Sequence, residues 1–155
     1  LADQKPKQRA VIVYDSMWGS TGIMASAIAS GLEDEGVPVR IIDIQKNHHS
    51  DVMTELADCG AVIVGSATHN NNVLPGIADV LTYMKGLRPL NRVGAAFGSY
   101  GWSGESPKII QEWLASMNMD MPADPVKCLF VPKHEGLSQC VALGKTVAEA
   151  LKAKC

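Results

Sequence analysis

No apolar run in this 155-residue chain approaches the roughly 20 residues that a membrane-spanning helix requires. No C-x-x-C pair is present either. The four cysteines, Cys59, Cys128, Cys140 and Cys155, have neither zinc-ligand spacing nor the ladder of a disulfide framework. Free thiols in a reducing cytoplasm are the expected state. Basic residues are in no surplus: 14 Lys and Arg against 16 Asp and Glu leave a formal charge of -2, which argues for no nucleic-acid partner and offers no single-sign field to steer one. Two nucleotide signatures, G-x-x-x-x-G-K-[ST] and G-x-G-x-x-G, are also missing, so neither a nucleoside triphosphate nor a dinucleotide has its usual phosphate loop. The opening residues LADQKPKQR lack the apolar stretch of a signal peptide. Residues 1–8 are read as a linker remnant and residues 9–155 as one domain.

What is present is a regular alternation. Residues 9–14 form a β-branched run of the kind buried on both faces of a parallel sheet. A helix opened by Ser20 or Thr21 then runs to about Glu35, with Ile23, Met24, Ala27, Ile28 and Leu32 on one apolar face and Gly36 as its stop. Residues 37–44 and 60–65 read as the second and third strands, with a short helix over 51–58 between them. A helix over 75–85, a strand over 92–97, a helix over 106–117, a strand over 126–131 and a helix over 137–152 complete the chain. Ile109, Ile110, Trp113, Leu114 and Met117 are expected to face inward, with Ser106 as an N-cap. Five strands alternating with five helices predict an α/β fold: a three-layer, doubly wound, five-stranded parallel sheet. Its ligands belong at the carboxyl ends of the strands, and in the order 2-1-3-4-5 the loops after strands one, three and four share one crevice.

Those three loops carry the chemistry. In Ser16, Met17, Trp18, Gly19, Ser20 and Thr21, hydroxyls and helix N-terminal amides can donate to phosphate oxygens, with no lysine or arginine among them. An uncharged cradle of this kind suits one terminal phosphate held by hydrogen bonds. The same residues also suit a plain helix cap without a ligand. After strand three come Thr68, His69, Asn70, Asn71 and Asn72, able to bond a heterocycle rich in oxygen and nitrogen, or simply to turn the chain. After strand four, Ser99, Tyr100, Gly101, Trp102, Ser103 and Gly104 set two aromatics among glycines, where a flat ring can stack or another protein can dock.

Three stretches, YDSMWGST, GSATHNNNVLPGIADVLTYMKGLRP and FGSYGWSGES, taken in this order, resemble the flavodoxin family over nearly the whole chain, and within it the flavodoxin-like domain of flavodiiron proteins. The resemblance implies the flavodoxin-like order 2-1-3-4-5 and FMN as cofactor. It places the phosphate at Ser16 to Thr21 and the isoalloxazine between the loop of Thr68 to Asn72 and that of Ser99 to Gly104. It also implies an electron relay, with rubredoxin or a flavin reductase as donor and a diiron metallo-β-lactamase-like domain of the parent protein as acceptor, where dioxygen or nitric oxide is reduced. The His and carboxylate ligands of such a domain are not in this chain. His48, His49 and Asp51 are the densest candidates and lack further partners at metal spacing, so neither a metal site nor a catalytic residue is assigned. The polar opening then reads as the tail of the interdomain linker.

Two other readings start from the same fold. An NAD(P)H-dependent quinone reductase would add a nicotinamide site to the same FMN. A phosphoacceptor receiver domain would need an aspartate ending strand three, where this chain has Gly65 and Ser66. Trp18 is expected at the rim that a partner approaches. Full reduction of FMN leaves negative charge on the ring, and nearby carboxylates disfavour it. Neither residues 66–75 nor residues 99–104 contain an Asp or Glu. The second-electron potential is therefore expected to be less negative than in flavodoxins with acidic ring loops, and a very low second couple in potentiometric titration would contradict this.

Overall fold

A run of β-branched residues without a polar break needs burial on both faces, and β1, Ala10–Asp15, has it: Ala10, Val11, Ile12 and Val13 are almost wholly sealed. The computed structural model describes residues 8–15, 20–46, 54, 59–67, 75–87, 92–100, 106–117, 119–129 and 134–154. Within them β1 is followed by α1 (Ser20–Asp34), β2 (Val39–Asp43), β3 (Ala61–Ala67), α2 (Pro75–Leu87), β4 (Val93–Tyr100), α3 (Ser106–Ser116), β5 (Val126–Leu129) and α4 (His134–Lys154). Of the short helix expected over 51–58, Thr54 is helical and the other positions lie outside the described residues. Among the described residues no helix is long and apolar enough to cross a membrane.

The five strands pair in parallel in the order β2-β1-β3-β4-β5. Strand residues alternate between two cores, as the two-residue period of a strand dictates. Ala10, Ile12, Ala61, Ile63, Ala95 and Phe97 pack on one face with Met24, Ile28 and Leu32 of α1 and Cys140, Leu143, Val147 and Leu151 of α4. Val11, Val13, Val62, Val64 and Ala96 pack on the other with Ile77, Leu81 and Met84 of α2 and Ile110 and Leu114 of α3. This is the three-layer, doubly wound arrangement expected from the alternation.

Several details differ from the periodic reading. Ile23 is 51% exposed, so the buried stripe of α1 is Met24, Ile28 and Leu32. Trp113 is half-buried rather than core, and the Lys85 ammonium lies 5.4 Å from its ring centroid. β3 and β4 run two and three residues further than expected, because Ser66 pairs with Gly98 and Ala67 with Ser99. Ser66, Ser99 and Tyr100 are therefore strand residues rather than loop residues.

Gly36 ends α1 as expected, at φ 78°, with its amide on the Glu33 carbonyl and the Val37 amide on that of Leu32, the paired bonds of a Schellman stop. Two other glycines let helices touch. A Cβ on Gly31 would overlap the Val141 carbonyl, and one on Gly144 would overlap the Ile28 carbonyl, so α1 and α4 cross backbone to backbone. Gly144→Ala gains up to about 1 kcal/mol of helix propensity but forces the helices apart at an overpacking cost of about 1–3 kcal/mol. The expected result is a lower melting temperature, by roughly 2–8 °C at this chain size. A rise on calorimetry would show that the crossing can yield.

Tyr14 and Asp43 are partners in the β1–β2 register, and the phenol donates to the carboxylate. Partial burial, then the charge of Asp43, then this hydrogen bond raise the Tyr14 pKa above its ordinary 10.0. The folded chain thus holds the phenolic proton more tightly than the unfolded chain does. The resulting stability is complete below pH 10.0 and is lost as pH rises through the raised value. Urea unfolding of Tyr14→Phe should show a shallower fall of stability as pH rises past 10.0 than the parent chain; identical slopes would contradict the pairing.

Candidate functional site

Parallel strands end together, so Asp15, Ala67 and Tyr100, the last residues of β1, β3 and β4, lie along one edge of the sheet. Register fixes their neighbours: Asp15 is beside Ser66, and Ala67 is beside Ser99. The order of the strands reverses between β1 and β3, and crevices at such a reversal are where open α/β sheets take ligands.

A layer of buried polar groups lies under this edge. On the α1/α4 side, Thr21 Oγ1 and Ser99 Oγ are 2.8 Å apart, and either can donate. On the α2/α3 side, Ser106 Oγ donates to the Ser66 carbonyl at 3.0 Å, and Ser66 Oγ donates to the Ala67 carbonyl at 2.8 Å. Asp15 is buried and accepts from Gln45 Nε2 at 2.8 Å. Each bond gives a sealed polar atom the partner that burial demands.

Glycines bring the backbones close enough for these bonds. A Cβ on Gly98 would lie 2.7 Å from Ser106 Oγ and press on the Ser66 carbonyl. One on Gly76, the second residue of α2, would lie 2.8 Å from Asp15 Oδ2 and 2.9 Å from Ile44 Cγ2. The Asp15 carboxylate therefore rests against the first turn of α2, the positive end of that helix. The first turn of α1 carries no acidic side chain, so none of its own carboxylates competes for its free amides.

Of the residues expected to hold a ligand, the structure brings Thr21 and Ser99 together directly. Ser20 opens α1 and Tyr100 ends β4, each described in backbone alone. Ser16, Met17, Trp18 and Gly19, the run from Thr68 to Asn72, and Gly101, Trp102, Ser103 and Gly104 lie outside the described residues, as do His48, His49 and Asp51. Asp15, Gln45, Ser66, Gly76, Gly98 and Ser106 were not singled out as site residues by sequence. Their ties join positions 30 and 40 apart, which no local periodicity reports. Ser106 was legible as a helix start, but its hydroxyl proton goes to β3.

The flavodoxin family matches residues 12–144 of the chain. Rubredoxin-oxygen oxidoreductase of Megalodesulfovibrio gigas is 54% identical over 153 residues, covering 99% of this chain and 38% of the relative. The solved rubredoxin oxygen:oxidoreductase from Desulfovibrio gigas superposes with a TM-score of 0.96 at 54% identity, over 99% of this chain and 38% of that one. The flavodiiron protein from Giardia intestinalis superposes with a TM-score of 0.91 at 28% identity, over 98% of this chain and 38% of that one. The chain thus spans about two-fifths of the length of these proteins. With five parallel strands in the order 2-1-3-4-5 and a hydroxyl-lined edge at the reversal point, the chain belongs to the flavodoxin family, an FMN-binding family, and is similar throughout to the flavodoxin-like part of flavodiiron proteins.

Proposed function

We propose that the chain is an electron-transfer domain that binds FMN at the carboxyl edge of its sheet. It takes electrons from rubredoxin or a flavin reductase and passes them to a diiron site in a metallo-β-lactamase-like domain of its parent protein, where dioxygen or nitric oxide is reduced. The observation that carries this reading is the convergence of the β1, β3 and β4 ends on the reversal point, with neutral hydroxyls beneath them and an α1 first turn free of acidic residues.

That donor set fits FMN. A phosphate monoester needs donors and positive helix-end potential, both of which the start of α1 provides. An amide-rich ring needs hydrogen-bonding and stacking groups, which residues 68–72 and 99–104 contain in sequence. FMN, when bound, supplies the redox chemistry. The part of the chain is to bind and orient it: residues 16–21 would cradle the phosphate, and the other two segments would grip the ring. Asp15 is tied to Gln45 and set against α2, which fixes the end of β1 just ahead of the cradle.

Titration with FMN under fluorescence is the direct test. One flavin per chain should bind with its emission quenched, and the complex should be reduced by reduced rubredoxin but not by NAD(P)H alone. Reduction by NAD(P)H alone would move the assignment to a quinone reductase, and a chain that FMN fails to saturate would overturn it.

A further inference from the structure

The turn after β2, residues 43–46, reaches the same edge of the sheet as the three segments that follow β1, β3 and β4. It is fastened to β1 at two points: the Ile44 amide donates to the Tyr14 carbonyl at 3.0 Å, and Asp43 accepts from the Tyr14 phenol. The turn also closes on itself. The Gln45 amide donates to Asp43 Oδ1 at 2.9 Å and the Lys46 amide to the Asp43 carbonyl at 3.0 Å, the bonds of an Asx turn. Gln45 thus extends its side chain from a fixed base, and its Nε2 reaches Oδ1 of the buried Asp15 at 2.8 Å.

The second oxygen of that carboxylate meets a helix. A Cβ on Gly76 would lie 2.8 Å from Asp15 Oδ2 and 2.9 Å from Ile44 Cγ2, so the start of α2 rests on Ile44 and on the carboxylate that Gln45 holds. Residues 68–74, which include the segment assigned to the ring, run between β3 and this helix. Their upstream end is set by the sheet, where Ala67 pairs with Ser99. Their downstream end is set by side-chain packing on α2. The Asp15 backbone is already placed by its pairing with Ser66, so the tie from Gln45 acts on the carboxylate and on the helix it touches.

We propose that the turn after β2 is a fourth wall of the crevice and that Gln45 is a positioning residue: by holding Asp15 against Gly76 it fixes where α2 begins, and with it the downstream end of the ring segment. This rests on the FMN reading above. A segment held at both ends has less freedom to lose when a ligand enters, so part of the ordering cost is met in folding. The effect belongs to the ring and leaves the phosphate cradle unchanged.

Gln45→Leu removes the donor from an exposed position, and Gly76→Ala pushes the carboxylate away from the helix. FMN binding is followed by fluorescence quenching, and the setting of the bound ring by visible circular dichroism. Each variant should bind FMN about fivefold more weakly, the scale of one net hydrogen bond, with an altered visible spectrum. The double variant should be no weaker than the weaker single, since both changes undo the same contact. Gln45→Lys, whose ammonium can donate to the same carboxylate, should restore the parent spectrum.

Weaker FMN binding with the parent spectrum would place the loss at the phosphate and overturn the proposal. Unchanged affinity in Gln45→Leu, additive losses in the double variant, or a Gln45→Lys spectrum like that of Gln45→Leu would overturn it as well. All of these leave the FMN reading standing, whereas a parent chain that FMN fails to saturate removes both. If Gly76→Ala fails to fold, Gln45→Leu and Gln45→Lys carry the comparison.

Discussion

Sealed on both faces, the backbone amides and carbonyls of β1, β3 and β4 have no water to bond and must pair with one another. Once Val11 and Val13 face one core and Ala10 and Ile12 the other, a slip of one residue would exchange every side chain between them. The register is thereby fixed, and with it the ends of the strands. Asp15 beside Ser66 and Ala67 beside Ser99 follow from the same pairing that buries Val64 beside Val13 and Ala96. The alignment of the strand ends is a consequence of core packing rather than a separate construction.

Close approach is the second requirement, and the chain meets it by omitting side chains. Gly65 leaves room for the Phe97 ring, which sits where a Cβ would be. Gly31 and Gly144 let α1 and α4 meet, so the helix that follows the proposed phosphate segment is braced against the last helix of the chain. A rigid α1 matters because its first turn sets the direction of the free amides. Flexibility at this crossing would be felt at the first turn of α1, about three turns away from Gly31.

Patterning in the sequence was enough to place the strands, four of the helices and the edge at which they converge, because each follows from a two-residue or 3.6-residue period. It failed where one position on a helix decides a contact. Ile23 fits the apolar stripe of α1 as well as Met24 does, yet it is more than half exposed, because the sheet lies under Met24, Ile28 and Leu32. It also stopped β3 and β4 early, since Ser66 and Ser99 read as loop residues until their pairing across the sheet is seen. The polar ties under the edge were illegible for a further reason: a threonine bonding a serine 78 positions away looks like any other threonine.

Those ties also bear on what the edge can do. Four of the groups in the layer, Thr21, Ser66, Ser99 and Ser106, are hydroxyls, and the carboxylate, Asp15, lies on the α2/α3 side, held by Gln45 against a helix N-terminus. Hydroxyl dipoles fixed by hydrogen bonds stabilise charge without having to reorient when it arrives, whereas exposed charged side chains and water must reorganise. A relay whose bound group changes charge at every turnover benefits most from surroundings that stay still. The hydroxyl-rich, glycine-packed and mutually bonded edge of this sheet meets that condition before any cofactor enters, so under the proposed function the chain's contribution to electron transfer is largely made when it folds.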